Sequence, residues 1–151
     1  STIVVATNEW KYHAELKLEL DENLPFVPCN IGEINQVVLN LVVNGAHAIR
    51  DRFQESQKGD LKVSTKHYAD ADCVVVSIID NGGGIPPKVQ ARIFEPFFTT
   101  KEVGVGTGQG LAIAHNVIVK SHSGQIWFDS KEGEGTTFYI KLPMNQKKSE
   151  E

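Results

Sequence analysis

The chain has 151 residues, a formal net charge of −4 and two cysteines, Cys29 and Cys73. That length suits one domain with its own hydrophobic core, and 40% hydrophobic with 23% charged residues matches ordinary globular composition. The negative charge and the absence of a Lys/Arg stripe argue against a generic nucleic-acid binder, and the lack of a CxxC pair argues against a zinc site or disulfide framework.

No apolar run reaches the roughly 20 residues that a bilayer span needs, so no direct membrane contact is expected. The start Ser1-Thr2-Ile3-Val4-Val5 lacks the layout of a signal peptide and suggests a piece of a longer chain, whose membrane segment, if any, lies upstream. The expected setting is reducing and cytoplasmic.

In chain order, residues 3–12 read as the end of a helix. Residues 14–20 alternate Leu16, Leu18 and Leu20 with charged residues, as a half-buried strand does. Asp21-Glu22-Asn23-Leu24-Pro25 is a turn. From Ile31 to about Phe53, apolar or small residues at 34, 37, 38, 41, 45, 48 and 49 follow helical spacing. Residues 61–68 and 73–80 form an expected β-hairpin, with Val74, Val76 and Ile78 on one face. A Gly/Pro-punctuated region from Asn81 to Gly110 follows, with a short helix near Pro87 to Phe94; a connection that long is usually functional. Leu111 to about Ser121 reads as a second long helix. Residues 125–130 and 136–142 read as a closing hairpin, and 145–151 as a polar tail outside a domain spanning 1–144. Mixed elements dominated by antiparallel hairpins point to helices packed on one face of a sheet.

Four segments carry chemistry. On the long helix, Glu33, Asn40, Asn44, His47 and Asp51 share one stripe beside the apolar face, and Asn40 and Asn44 lie one turn apart. Two stacked amides there are either a solvated face or a polar site, and an amide oxygen is a hard donor suited to Mg²⁺. The strand ending at Asp80 runs into Asn81-Gly82-Gly83-Gly84-Ile85-Pro86, either a plain turn or a backbone approach to a flat ligand, with the Asp80 carboxylate offering only acceptors. Ile93-Phe94-Glu95-Pro96-Phe97-Phe98-Thr99-Thr100-Lys101 is either a pinned loop or a hydrophobic latch that brings Lys101 to a phosphate. Gly104-Val105-Gly106-Thr107-Gly108-Gln109-Gly110-Leu111 opens into a helix, and free N–H groups with the positive end of a helix dipole cradle phosphates. No parallel strand precedes it as in a dinucleotide fold, and no Gly-Lys-Ser/Thr follows as in a P-loop.

In this order and spacing the four segments resemble the N, G1, F and G2 boxes of the histidine kinase catalytic domain, within the wider ATPase superfamily of gyrase, mismatch-repair proteins and heat-shock chaperones. The resemblance runs from about Ala14 to Pro143 and continues in Gly133-Glu134-Gly135-Thr136-Thr137-Phe138. It implies a two-layer α/β sandwich of the Bergerat type, with a mixed, mainly antiparallel sheet covered on one face by helices. It implies ATP or ADP with Mg²⁺ as ligands: Asn44 and Asn40 on the metal, Asp80 on the adenine amino group, and Thr136 assisting through water. Gly82, Gly84 and Ile85 would shape the purine slot; His47, where Asp or Lys is usual, is either a further nucleotide contact or an exposed helix histidine. Gly106, Thr107, Gly108, Gln109, Gly110 and Leu111 would cover the phosphates, with Thr99 and Lys101 on a lid. Hydrolytic relatives carry a glutamate one turn before the metal-binding Asn, whereas here Asn40 stands there. An amide is no general base, so the catalytic pair expected is Asn40 and Lys101, positioning and neutralising the γ-phosphate for an incoming histidine. Gly45 occupies a place where Ala is usual, at an expected cost of up to ~1 kcal/mol in helix propensity.

None of His13, His47, His67, His115 and His122 sits in the family's acceptor pattern. The resemblance therefore implies a monomeric catalytic module that cannot phosphorylate itself, serving a dimerisation and phosphoacceptor domain of the same protein and a downstream response regulator. The rival expectations are a serine kinase of the anti-sigma type, a gyrase- or mismatch-repair-like ATPase, and a non-catalytic nucleotide-binding module.

Overall fold

The computed structural model describes residues 13–54, 56–95 and 110–144. The helix expected over 3–12, most of the lid and the polar tail lie outside the described residues. Five strands form one sheet in the order β1-β2-β3-β5-β4: β1 (Ala14–Glu19), β2 (Gly59–Tyr68), β3 (Cys73–Asp80), β4 (Gln125–Lys131) and β5 (Gly135–Pro143). Only β1 and β2 run parallel; the other three pairings are antiparallel. This is the mixed, mainly antiparallel sheet expected.

Helix α1 (Ile31–Phe53) starts where Asn30 caps it, the Asn30 side chain accepting a hydrogen bond from Glu33 N at 3.1 Å. It ends at Gln54 in the left-handed region, with Arg50 and Arg52 in the last turn favouring the negative end of the dipole. Its Ile34, Val37, Leu41, Val42, Ala46 and Ile49 are buried against the sheet. The facing strands alternate as the pleat requires, burying Leu61 and Val63 of β2, Val74 and Ile78 of β3, and Phe138, Ile140 and Leu142 of β5. The opposite face carries charged residues and a stacked Trp127–Tyr139 pair with ring centroids 5.1 Å apart, so among the described residues the long helices lie on one side of the sheet.

The region after β3 differs from expectation at two places. The short helix α2 covers only Pro87–Gln90, and the chain continues to residue 94 as turns. Beyond the undescribed segment, α3 (Gly110–Asn116) widens into a π turn over Val117–Ser121 where one continuous helix was expected. The cause lies in the carbonyls. His122 Nδ1 donates to Val117 O at 2.9 Å and Gly124 N donates to Ile118 O at 2.8 Å, so the last turn is closed from outside the helix. Branched Val117, Ile118 and Val119 crowd a regular turn and add to the tendency.

His122 also ties the two helical units together. It is 2% exposed, and its Nε2 accepts the Asn30 backbone N–H at 3.0 Å while Nδ1–H donates to Val117 O. The start of α1 is thus fixed to the end of the α3 unit, against which α1 packs.

Candidate nucleotide site

The sheet's core face ends in a polar row. In register, Asp80 of β3 sits opposite Thr136 of β5, which sits opposite Ser130 of β4, with Leu61 of β2 on the other flank of Asp80. Side chains at directly paired positions lie close enough to interact. Asp80 and Thr136 are both buried, 7% and 6% exposed. Asp80 Oδ1 accepts the Gly82 N–H at 2.8 Å. Burial nevertheless dominates: it lifts the Asp80 carboxyl to about 6, against the opposing pull of backbone N–H groups from Gly82 and Thr136. Among the described residues two backbone amides donate to this buried carboxylate, which leaves it room to accept from a further donor.

The helix comes to this carboxylate at Gly45. A side-chain carbon there would stand 2.9 Å from Leu61 Cδ2, 3.3 Å from Asp80 Cβ and 3.4 Å from Asp80 Oδ2. The glycine that weakens the helix therefore lets α1 pass close to Asp80, and neighbouring Asn44 belongs to the same turn. Asn40, Asn44 and His47 are all half-buried on their stripe, as the wheel placed them. Asn40 Oδ1 accepts from Gln36 Nε2 at 3.1 Å, a partner the pattern gave no reason to single out. Among the described residues no group of three or more His, Cys, Asp or Glu is poised for a metal. The amide pair fits Mg²⁺ only as part of a shell completed by phosphate and water oxygens, which is that ion's usual manner of binding.

The glycine turn is built against protein on two sides. At Gly82 a Cβ would stand 2.6 Å from Ala48 Cβ and 2.7 Å from Ala48 C, so the turn lies flat on α1 one helical turn beyond Gly45. Gly84, at φ +76°, faces Lys131 O so closely that no Cβ fits, whereas Gly83 has open space. Gly82→Ala should therefore cost about 1–3 kcal/mol in a urea titration while Gly83→Ala stays within about 0.5 kcal/mol. Equal costs for the two would contradict the packing described.

Four residues hold the turn through contacts that the sequence reading did not single out. Arg52 Nη1 donates to Asn81 O at 2.8 Å and, more weakly, to Gly82 O and Glu134 O, both at 3.4 Å. Asn81 Oδ1 accepts Asp60 N–H at 2.7 Å. Ser130 Oγ accepts Ile85 N–H at 2.7 Å, and Gln90 Nε2 holds Ile85 O at 2.9 Å. Ile85 is thus fixed at the edge of the turn from both sides.

Of the lid, Phe94 is anchored: its ring centroid lies 5.3 Å from His115, 6.0 Å from Phe128 and 6.5 Å from Phe138. Gly110 is the first residue of α3, and Leu111 packs on the core. Thr99, Lys101, Gly106, Thr107, Gly108 and Gln109 lie outside the described residues.

Residues 29–146 match the family model for the histidine kinase-, DNA gyrase B-, and HSP90-like ATPase. The sensor kinase CckA of Brucella abortus is 43% identical over 142 residues, covering 85% of this chain but 14% of that protein. The nucleotide-free catalytic domain of histidine kinase ThkA superposes with a TM-score of 0.76 at 30% identity, covering 95% of this chain and 89% of that one. The same kinase in complex with the response regulator protein TrrA gives a TM-score of 0.72 at 28% identity, covering 95% of this chain and 38% of that one. This chain spans only a small part of the full-length kinase it matches.

Proposed function

The chain belongs to the histidine kinase-, DNA gyrase B-, and HSP90-like ATPase family, and from that premise we propose that it binds Mg·ATP and presents the γ-phosphate to a histidine carried elsewhere in a longer sensor kinase. The observation that carries the reading is the buried, proton-hungry Asp80 carboxylate, set beside the Asn40/Asn44 stripe where Gly45 lets α1 approach. An adenine amino group supplies the donor that Asp80 lacks.

In this reading Asp80 takes the purine amino group, Thr136 assists it, and Gly82, Gly84 and Ile85 border the purine. Asn44, with Asn40, holds Mg²⁺; the metal would neutralise phosphate charge and hold the triphosphate in line. His47 lies along the same stripe. Thr99, Lys101, Gly106, Thr107, Gly108, Gln109, Gly110 and Leu111 form the phosphate cover, with Lys101 adding a positive charge at the γ-phosphate. Asn40 supplies no general base, so the chain holds ATP without rapid hydrolysis. The module spans 1–144, acts in the cytoplasm as a monomer without nucleic acid or membrane, and serves an acceptor domain of the same protein and a response regulator downstream.

Isothermal titration tests the metal assignment. Asn44→Ala should leave weak ATP binding that no longer strengthens when Mg²⁺ is added, and an unchanged metal dependence would mean that the metal sits elsewhere. With labelled ATP the isolated chain should label neither itself nor water at an appreciable rate, yet should give acid-labile phosphate on an added acceptor-helix domain. Steady phosphate release would support the hydrolase reading, and acid-stable phosphoserine on a protein substrate the serine-kinase reading.

A further inference from the structure

We propose that Arg52 is a positioning residue for the nucleotide site: it holds the peptide plane between Asn81 and Gly82 and thereby aims the Gly82 N–H at Asp80. The inference rests on the reading that Asp80 receives the purine amino group. Gly45, Ala48 and Arg52 lie three and four residues apart, on one stripe of α1. The first two are small and let the helix close on the site, Gly45 beside Asp80 and Ala48 against Gly82. Arg52 is long and reaches the outer side of the glycine turn.

Arg52 Nη1 carries two hydrogens and meets three carbonyls: Asn81 O at 2.8 Å, and Gly82 O and Glu134 O at 3.4 Å each. One hydrogen serves the short bond, and the other is shared between the two longer ones. The guanidinium lies 4.8 Å from the centroid of the Phe53 ring, which restricts the places it can occupy. One cation therefore ties the glycine turn to the turn between β4 and β5, whose Gly133 N–H also donates to Gly83 O at 2.7 Å.

The short bond bears on the chemistry. A peptide unit is planar and, being trans here, points its C=O and its N–H in opposite directions. Holding Asn81 O thus fixes the direction of the Gly82 N–H, which donates to Asp80 Oδ1 at 2.8 Å. Asn81 is itself pinned: its N–H donates to Asp60 O at 3.3 Å and its Oδ1 accepts the Asp60 N–H at 2.7 Å. The freedom left is a swing of the plane, which a glycine at 82 permits at little steric cost. Bonds in series also polarise one another, so a cation on the carbonyl strengthens the N–H at the far end of the plane. The Asp80 carboxylate is then oriented before the nucleotide arrives, and that ordering cost does not fall on binding. Arg52 is exposed, so losing it should loosen this plane without unfolding the domain.

The test compares, by isothermal titration, Mg·ATP with Mg·purine riboside triphosphate, which has hydrogen in place of the 6-amino group. Wild type should prefer ATP roughly ten- to hundredfold, the range for a hydrogen bond to a charged group. In Arg52→Met, which keeps most of the bulk and removes the donors, that preference should contract by about threefold or more while the urea midpoint stays near wild type. Arg52→Lys, whose ammonium can hold one carbonyl but has no planar fork, should fall between the two. Each preference compares two ligands on one preparation, so partial unfolding of a variant cancels. The nucleotide-free protein gives an independent readout: the Gly82 amide proton resonance, held downfield by the carboxylate, should move upfield in Arg52→Met. An unmoved Gly82 resonance, or a loss of affinity in Arg52→Met that is equal for both ligands, would overturn the proposal. Absence of any preference in wild type would sink the underlying assignment of the amino group to Asp80, whereas a wild-type preference that Arg52→Met leaves intact would sink the role of Arg52 alone.

Discussion

Asp80→Asn should make the nucleotide-free protein more stable and at the same time abolish most of its ATP binding. Burial raises the Asp80 carboxyl to about 6 from its ordinary 3.8. The folded state therefore binds the Asp80 proton more tightly than the unfolded chain, so this group's contribution to stability is most favourable below about pH 4, falls as pH rises to about 6, and is flat above. The penalty at neutral pH is on the order of 3 kcal/mol. Asparagine keeps an oxygen for the Gly82 N–H and carries no charge, so most of that penalty should disappear at pH 7 and none of it at pH 3.5. Binding moves the other way, because an amide NH₂ facing an amino group sets donor against donor and leaves both unpaired, a loss of at least a hundredfold in affinity. Urea titration at the two pH values and isothermal titration check the two halves. A variant that is destabilised at pH 7, or that binds ATP as well as wild type, contradicts the reading of Asp80. For wild type the same linkage predicts ATP affinity that weakens as pH falls through about 6, since a protonated carboxyl offers the amino group a poorer acceptor.

His122→Ala should cost about 3 kcal/mol or more of stability, although the side chain is assigned no ligand. The imidazole is buried and joins Asn30 N–H to Val117 O, so truncation leaves a donor and an acceptor without partners and opens a cavity. Because Asn30 caps α1 and Val117 opens the π turn, the loss falls on the joint between the helix bearing Asn40 and Asn44 and the helix that follows the proposed phosphate cover. His122→Asn, which retains a donor on a shorter arm, should recover part of it. Urea midpoints read the order wild type, His122→Asn, His122→Ala. A loss in His122→Ala within about 0.5 kcal/mol would mean that the joint is held by apolar packing alone.

Much of the fold was legible because its determinants are local. Alternation marked β1 and β3, the spacing from Ile34 to Ile49 marked α1, and the glycine-containing turn at 132–135 marked the β4–β5 hairpin. The parallel pairing of β1 with β2 and the position of β5 beside β3 were not legible, since both depend on contacts distant in sequence. The site divides in the same way. Asp80 stood out as a carboxylate at a strand end before three glycines, and Asn40 and Asn44 as stacked amides, but the burial that makes Asp80 unusual comes from α1 passing at Gly45. Gly45 itself read as a weakness of the helix when it is a condition of the approach. Arg52, Ser130 and His122 could not be found from pattern, because their partners lie 29 to 92 residues away and single polar residues in a strand or a last helical turn carry no periodic signal. The π turn went unread because its cause, the outside donors to Val117 O and Ile118 O, is tertiary.

A crystal structure of this chain with Mg²⁺ and a non-hydrolysable ATP analogue decides most between a nucleotide site and a chance convergence of polar residues. The purine amino group should lie about 3 Å from the Asp80 carboxylate, with the metal between Asn44 and the phosphates. A nucleotide bound with its base away from Asp80, or a cleft that stays empty at saturating analogue, would contradict it.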